Sequence, residues 1–125
     1  MNPDTILRRA FGVSVFYNLG GAFLFAWPSS PIGQMLGLPQ SVPWLYCGVT
    51  ALFIALFAGA YAWLATSPII DRPLVVVAML GKASFFVLIL ALWLLSEISG
   101  RMVLVASGDV VFAGIFAWWL KKTAA

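Results

Sequence analysis

Residues 74–95 read LVVVAMLGKASFFVLILALWLL, an almost unbroken apolar stretch with a single lysine, Lys82, inside it. Its length falls in the window of about 17–25 residues that an α-helix needs to cross a bilayer. In the hydrocarbon the backbone must satisfy its own hydrogen bonds, so such a stretch is helical. The segment therefore predicts a transmembrane helix that carries one charged residue.

Three further stretches have the same apolar character and the same range of lengths: residues 10–27, 44–65 and 102–120. None alternates with the two-residue period of a transmembrane β-strand. The chain of 125 residues is 63% hydrophobic and 9% charged, whereas a soluble domain is about 45–50% apolar and about 25% charged. Residues 1–125 are therefore predicted to form a single transmembrane domain, an all-α integral membrane four-helix bundle.

The first apolar stretch has two interpretations. It follows Arg8 and Arg9, as the apolar core of a signal peptide follows a basic start. However, the stretch ends in Ala26-Trp27-Pro28, which offers no small-x-small cleavage site. An uncleaved first transmembrane helix is therefore favoured over a signal peptide.

Basic residues are concentrated on one side of the predicted membrane arrangement. With four spans, the N-terminus, the second loop and the C-terminus share a side, which carries Arg8, Arg9, Arg72, Lys121 and Lys122. The opposite side carries Arg101. The positive-inside rule then predicts a multi-pass protein of the cell inner (plasma) membrane with both termini cytoplasmic. The short second and third loops predict that sequential helices are antiparallel neighbours.

The first outer loop, residues 28–43, differs from the others because it is long and carries no charge. Ser30 followed by Pro31 is a helix-start signal. The loop therefore predicts a short interfacial helix, whose apolar residues Ile32, Met35, Leu36 and Leu38 would lie on the membrane surface. The alternative interpretation is a lid over a cavity.

Three polar residues lie deep within the predicted spans, and their depths agree. At 1.5 Å per residue, Asn18, Lys82 and Asp109 stand about 12, 13 and 16 Å from the cytoplasmic ends of their helices. A lone charge at a helix centre costs about 2.5–3.5 kcal/mol. We therefore expect Lys82 and Asp109 to form an ion pair inside the bundle, in one layer with Asn18.

Other residues are candidates for the same layer or for helix contact. Ser14 shares the face of Asn18, and Tyr17, Tyr61, Thr50 and Ser84 are further possible hydrogen-bond partners. Ala51, Ala55 and Gly59 predict a contact ridge of small residues on the second span. The polar layer has two interpretations. It either fixes which helices pair, or it forms a ligand site or proton relay.

The sequence lacks the residues that several classes of chemistry require. The chain has no histidine and one cysteine, Cys47, so no cluster for zinc, copper or haem is expected and no cofactor is predicted. Without a histidine base, no Ser-His-Asp or Cys-His nucleophile is expected, and the chain is not predicted to be an enzyme. Since the basic residues other than Lys82 lie at span ends, nucleic acid is not an expected partner. The lipid bilayer, a membrane-protein partner or a second copy are the expected partners.

Three short motifs carry a resemblance to known proteins. They are residues 18–22 (NLGGA), Gly81-Lys82 and residues 108–112 (GDVVF). They resemble patterns in small bacterial four-helix membrane proteins, and the general plan is similar to the DoxX-like proteins. The resemblance covers the whole chain in length and topology, and it implies an accessory or partner subunit.

Two functions from different classes follow. The first is a non-enzymatic accessory, scaffold or partner-binding subunit, in which the Lys82–Asp109 pair fixes helix packing. The alternative is a transporter of small molecules or ions, or a ligand-binding bundle, that uses the layer of Asn18, Lys82 and Asp109. Small multidrug transporters are also four-span proteins, but their coupling residue is a glutamate in the first helix, where this chain has Asn18.

Overall fold

A computed structural model describes residues 1–124, and over that range the chain contains five α-helices and no strand. These are α1 (Pro3–Ala26), α2 (Pro31–Met35), α3 (Trp44–Thr66), α4 (Arg72–Leu94) and α5 (Gly100–Lys122). The predicted all-α class is confirmed.

Three of the helices, α3, α4 and α5, are long and apolar enough to cross a membrane, with 23 residues each. At 1.5 Å per residue, each spans about 35 Å, slightly more than the hydrocarbon thickness. Helix α1 is equally long, with 24 residues, but Arg8, Arg9 and Asn18 make it less apolar. By length and composition, the structure thus supports three of the four predicted spans.

The starts of α1 and α4 are set by capping residues. The side chain of Asn2 accepts a hydrogen bond from the Asp4 amide at 2.8 Å, and Pro3 opens the helix, so α1 begins well before the apolar stretch at residue 10. In the same way the side chain of Asp71 accepts from the Leu74 amide at 3.0 Å and starts α4.

The long helices pack as two pairs. Helix α1 lies along α3, and α4 lies along α5, while the pairs meet mainly through α1 and α5. Arg8 near the start of α1 donates to the carbonyl of Ser67 at the end of α3, so these helices are antiparallel. Arg72 at the start of α4 donates a hydrogen bond to the carbonyl of Leu120 near the end of α5, so α4 and α5 are antiparallel as well. Helices α3 and α4, although joined by a short connection, make few contacts along their lengths.

Two separate apolar clusters form the core. The terminal cluster, at the end that holds both chain termini, comprises Leu7, Ala10, Phe11, Tyr61, Leu64, Val75, Ala78, Phe116 and Trp119. The loop cluster, at the opposite end, comprises Leu24, Leu36, Leu38, Ile89, Met102 and Ala106. Phe11 and Phe116 stack at the centre of the terminal cluster, with ring centroids 4.3 Å apart. Along α1, α4 and α5, the polar residues Asn18, Lys82 and Asp109 lie between the positions that enter the two clusters.

The first outer loop contains the predicted short helix, but it is not simply laid on the membrane surface. The Ser30 hydroxyl accepts from the Gly33 amide at 3.1 Å and caps α2, as the Ser-Pro signal predicted. Ile32 and Met35 are exposed, whereas Leu36 and Leu38 are buried in the loop cluster. The prediction that all four residues lie at the surface is therefore wrong for Leu36 and Leu38, since their burial against the helices removes apolar surface from water.

The contact face of α3 is also displaced from the predicted ridge of small residues. Its buried residues are Cys47, Ala58, Tyr61 and Leu64. Gly59 is exposed, and a Cβ atom added there would meet nothing within 4 Å. The ridge prediction is wrong at Gly59, because α3 turns Tyr61 inward to join the aromatic rings of the terminal cluster.

Candidate functional site

The site is built around Lys82 of α4, which is 2% exposed. Its Nζ atom donates to Oδ1 of Asp109 on α5 and to Oδ1 of Asn18 on α1, both at 2.9 Å. The predicted Lys82–Asp109 ion pair is therefore confirmed, and Asn18 lies in the same layer. The Asn18 amide nitrogen donates to the carbonyl of Ile54 on α3 at 3.2 Å, so the layer joins all four long helices.

The network also fixes the orientation of the Asn18 amide. Its oxygen faces an ammonium group, which only donates, and its NH₂ group faces a carbonyl, which only accepts. A flipped amide would set two donors against each other and two acceptors against each other. This arrangement supplies oxygen ligands for a charge whose burial would otherwise cost several kcal/mol.

Aromatic rings from three helices surround the ammonium group. The Nζ atom of Lys82 lies 4.9 Å from the ring centroid of Tyr17, 5.0 Å from that of Tyr61 and 5.1 Å from that of Phe112. Each distance is within the range at which the negative face of a ring attracts a cation. The lysine is thus held by two oxygen atoms and enclosed by three rings.

Tyr17 also contacts the acidic partner directly. Its hydroxyl lies 2.5 Å from the carbonyl oxygen of Val105, to which it donates, and 3.3 Å from Oδ2 of Asp109. The close approach of α1 and α5 here depends on Gly108, because a Cβ atom at that position would lie 2.8 Å from Cε2 of Tyr17. The predicted site residue Tyr17 therefore belongs to the layer.

The two predicted serines have different surroundings. Ser14 is fully buried one turn from Asn18, and its hydroxyl has no hydrogen-bond partner among residues 1–124. Ser84 is exposed and donates to the carbonyl of Gly81 in its own helix at 3.1 Å. The prediction that Ser84 joins the layer is wrong, because a residue two positions from Lys82 on a helix points away from it.

A cavity of about 600 Å³ adjoins the layer and extends toward α2. One end is formed by Asn18, Lys82 and Asp109, and the other by Ile32, Met35 and Leu36 of the first outer loop. Six of the lining residues are phenylalanines from α1, α3 and α4: Phe16, Phe23, Phe25, Phe53, Phe57 and Phe85. Its volume is typical of sites that hold small molecules, which range over about 300–1,000 Å³.

Sequence reasoning identified the polar end of this site but not its wall. Asn18, Lys82 and Asp109 stand out because polar residues are costly in lipid. Phe112 and the phenylalanines of the cavity give no such signal, since a ring that faces a cavity and a ring that faces lipid are both apolar residues in an apolar helix. The ten phenylalanines of the sequence allow an apolar pocket, and the uncharged outer loop allows a lid, but neither feature identifies which rings line the cavity.

The described residues therefore define an all-α protein with three membrane-length helices and a buried lysine–aspartate pair at the end of an apolar cavity. Comparison with family models, with curated proteins and with solved structures finds no match. The resemblance to the DoxX-like proteins therefore stays a prediction.

Proposed function

We propose that this chain is a membrane protein that binds a neutral amphiphilic small molecule, with its apolar body in the cavity and its polar group at the Lys82–Asp109 pair. The observation that carries the proposal is the continuity of a cavity of about 600 Å³ with a buried ion pair. A pair with a purely structural role needs no cavity beside it, and this cavity is partly open, since lining residues such as Phe16 and Phe53 are exposed.

The proposal takes α1 as a fourth transmembrane helix. Its support is the length of α1, the apolar stretch that begins at Ala10, and the inward position of Asn18 in the layer. The proposed orientation places both termini in the cytoplasm of a cell with an inner membrane. It rests on the basic residues at that end, which include Arg8 and Arg72.

The charge of the site favours a neutral ligand. Lys82 and Asp109 compensate each other, so a charged ligand group would leave a net charge buried, which is costly. The ammonium group has three N–H donors, and Asn18 and Asp109 accept two of them. A hydroxyl or carbonyl oxygen on the ligand is suited to the third donor, and a ligand hydroxyl is suited to donate to Oδ2 of Asp109.

Photolabelling with a long-chain alcohol that carries a diazirine tests this proposal. The purified protein in neutral detergent is irradiated with the probe, and the labelled peptides are mapped by mass spectrometry. We expect labels on the residues that line the cavity, such as Phe57 and Phe85. A fatty acid probe and a quaternary amine probe of the same chain length should label these peptides less, since each adds a buried charge.

A matched pair of glycine variants gives the control. Gly20 lines the cavity, and a Cβ atom there would meet nothing within 4 Å, so Gly20→Phe should fill the cavity without a clash. Gly12 has the same open surroundings on the same helix but is not among the cavity residues. Gly20→Phe should reduce labelling about tenfold, a loss of about 1.4 kcal/mol in binding, and Gly12→Phe should not. Equal labelling of the two variants would contradict the proposal.

An accessory or scaffold role is a second proposal. Its support is the polar layer itself, in which one lysine joins α1, α4 and α5 through direct hydrogen bonds. If this were the whole role of the layer, the alcohol probe would not label the cavity. A partner membrane protein, or a second copy, would then be recovered by cross-linking in native membranes.

A further inference from the structure

A second pocket, of about 480 Å³, lies at the opposite end of the molecule from the first outer loop. The start of α1, the connection between α3 and α4, and the end of α5 form it. Two arginines, Arg8 and Arg72, line this pocket together with Ile69, Trp119 and Asp4. The cavity beside Lys82 shares none of these residues.

Both arginines are fixed by neutral acceptors. Arg8 donates through Nη2 to the carbonyl of Pro68 at 3.1 Å and through Nη1 to Ser67. Arg72 donates through Nη1 to the hydroxyl of Thr123 at 2.7 Å and through Nη2 to the carbonyl of Leu120. These bonds hold the two guanidinium groups in place without neutralising their charge.

Neither arginine forms a direct ion pair with an acidic side chain among residues 1–124. Within residues 1–124, the ion pair of Lys82 and Asp109 is the only one with an N–O distance of 4.0 Å or less. Asp4 lines the pocket, but its Oδ1 accepts from the indole Nε1 of Trp119 at 2.8 Å. Asp71, next to Arg72, caps α4 through the Leu74 amide. The pocket therefore holds two immobilised cations and one carboxylate that is already hydrogen-bonded.

We infer that this pocket binds the phosphate group of an anionic phospholipid in the leaflet beside the chain termini. A guanidinium group has five N–H donors in a rigid fork that suits phosphate, and each arginine here has donors to spare. Basic pockets between membrane helices on the cytoplasmic side are sites for acidic lipid head groups. Ile69, which is 84% exposed at the edge of the pocket, offers an apolar contact for the glycerol and acyl chains. The site is separate from the proposed ligand cavity and does not depend on it.

Lipid retention and thermal stability of the purified full-length protein test this inference. Delipidated protein in neutral detergent is mixed with phosphatidylglycerol, with phosphatidylcholine of the same acyl chains, or with inorganic phosphate. Bound lipid is counted by native mass spectrometry, and the melting temperature is measured in each case. We expect phosphatidylglycerol to be retained and to raise the melting temperature, with little effect of the other two.

The variant Arg8→Gln/Arg72→Gln should reduce retention of phosphatidylglycerol by about tenfold or more, because it removes charge-assisted hydrogen bonds to phosphate. Its matched control is Arg9→Gln/Lys121→Gln, which removes the same charge from residues that are exposed and do not line the pocket. The two arginines also hold helix ends, so the readout is the difference between the two lipids within each variant rather than the melting temperature itself.

A second pair of variants keeps the test decisive if the arginine variant does not fold. Ile69→Glu places a carboxylate at the mouth of the pocket on an exposed residue, and it should abolish the preference for phosphatidylglycerol, whereas Ile69→Gln should keep it. The inference is overturned if both lipids are retained equally. It is also overturned if inorganic phosphate gives the whole stabilisation, or if the control variants lose the preference as much as the pocket variants.

Discussion

At the scale of single residues, the ammonium group of Lys82 is the centre of the buried polar contacts. Lys82 is held by the oxygens of Asn18 and Asp109 and enclosed by the rings of Tyr17, Tyr61 and Phe112. Every other charged residue in the described chain is half-buried or exposed. The stability of the protein should therefore respond far more strongly to changes in this pair than to changes in any other charge.

Removal of one partner of the pair should be costly. Lys82→Met leaves the Asp109 carboxylate buried without its cation, and Asp109→Asn leaves the ammonium without its anion. We expect each variant to lose about 3–5 kcal/mol of unfolding free energy, measured by denaturant titration in detergent micelles. The double variant should recover most of this loss, since no net charge stays buried. If neither single variant loses stability, the pair is not a structural element.

Gly108 permits the contact between Tyr17 and α5, and this can be tested without any change of charge. Gly108→Ala would put a Cβ atom 2.8 Å from Cε2 of Tyr17, so the ring must move. We expect a loss of about 1–3 kcal/mol, as for other overpacked sites, seen as a lower melting temperature. Gly114→Ala on the same helix has open space and should be neutral or slightly stabilising. Equal effects would show that Tyr17 is not tightly packed there.

The polar end of the site could be predicted from the sequence because a charged residue in an apolar, membrane-length segment carries a large free-energy cost unless it is paired. Two opposite charges in segments long enough to cross a membrane are expected to pair with each other. Their similar depth follows from the 1.5 Å rise per residue of an α-helix. Ser84 lies near Lys82 along the chain but on another face of α4, so closeness in sequence does not bring it into the layer. The enclosing ring of Phe112 could not be predicted, since nothing in the sequence distinguishes it from a lipid-facing phenylalanine.

At the scale of elements, the first outer loop is the segment whose position matters most for the cavity. It is attached to the start of α5, because Ser99 donates to the carbonyl of Leu36 at 2.5 Å and Arg101 donates to that of Met35 at 3.0 Å. Gly37 has a φ angle of +73°, which L-residues with a side chain rarely adopt. A Cβ atom there would also lie 3.0 Å from Cβ of Ser99.

Gly37→Ala should therefore loosen this segment. The left-handed backbone conformation costs about 1–2 kcal/mol for a residue with a Cβ atom, and the contact with Ser99 adds to this. Hydrogen exchange followed by mass spectrometry should show faster exchange in residues 31–38, with little change in α4. Gly48→Ala, at a helical position with nothing within 4 Å, is the control and should leave exchange unchanged. Unchanged exchange in Gly37→Ala would mean that the loop is held elsewhere.

The sequence predicts the bounds of the helices better than it predicts how the helices pack against one another. The bounds of α3, α4 and α5 follow the apolar stretches closely, because a helix in lipid ends where polar residues resume. The antiparallel pairing of α4 with α5 follows from their short connection. The antiparallel pairing of α1 with α3 is accompanied by strong contacts at the helix ends. The sparse contact between α3 and α4 does not follow, since the connection of residues 67–71 joins their ends without determining the packing along their lengths.

At the scale of the whole molecule, the arrangement of helices indicates how the proposed ligand would reach the cavity. The terminal cluster packs the helices together at one end, and residues of the first outer loop line the cavity at the other. Among the long helices that contact each other, α3 and α4 make the fewest contacts, and Phe57 approaches Gly81 between them. Both residues line the cavity. We therefore expect an amphiphile to enter from the membrane through the gap between these two helices, rather than from the water beyond the loop.

The rate of photolabelling distinguishes the two routes. Gly81→Leu adds a side chain where a Cβ atom alone would lie 3.2 Å from the Phe57 ring, so it should obstruct the gap between α3 and α4. Entry through the membrane predicts that Gly81→Leu slows labelling more than it lowers the final extent, and that Gly37→Ala leaves the rate unchanged. Entry past the loop predicts the reverse, with faster labelling in Gly37→Ala. Gly20→Phe separates the two quantities, because filling the cavity lowers the final extent whichever route the ligand takes.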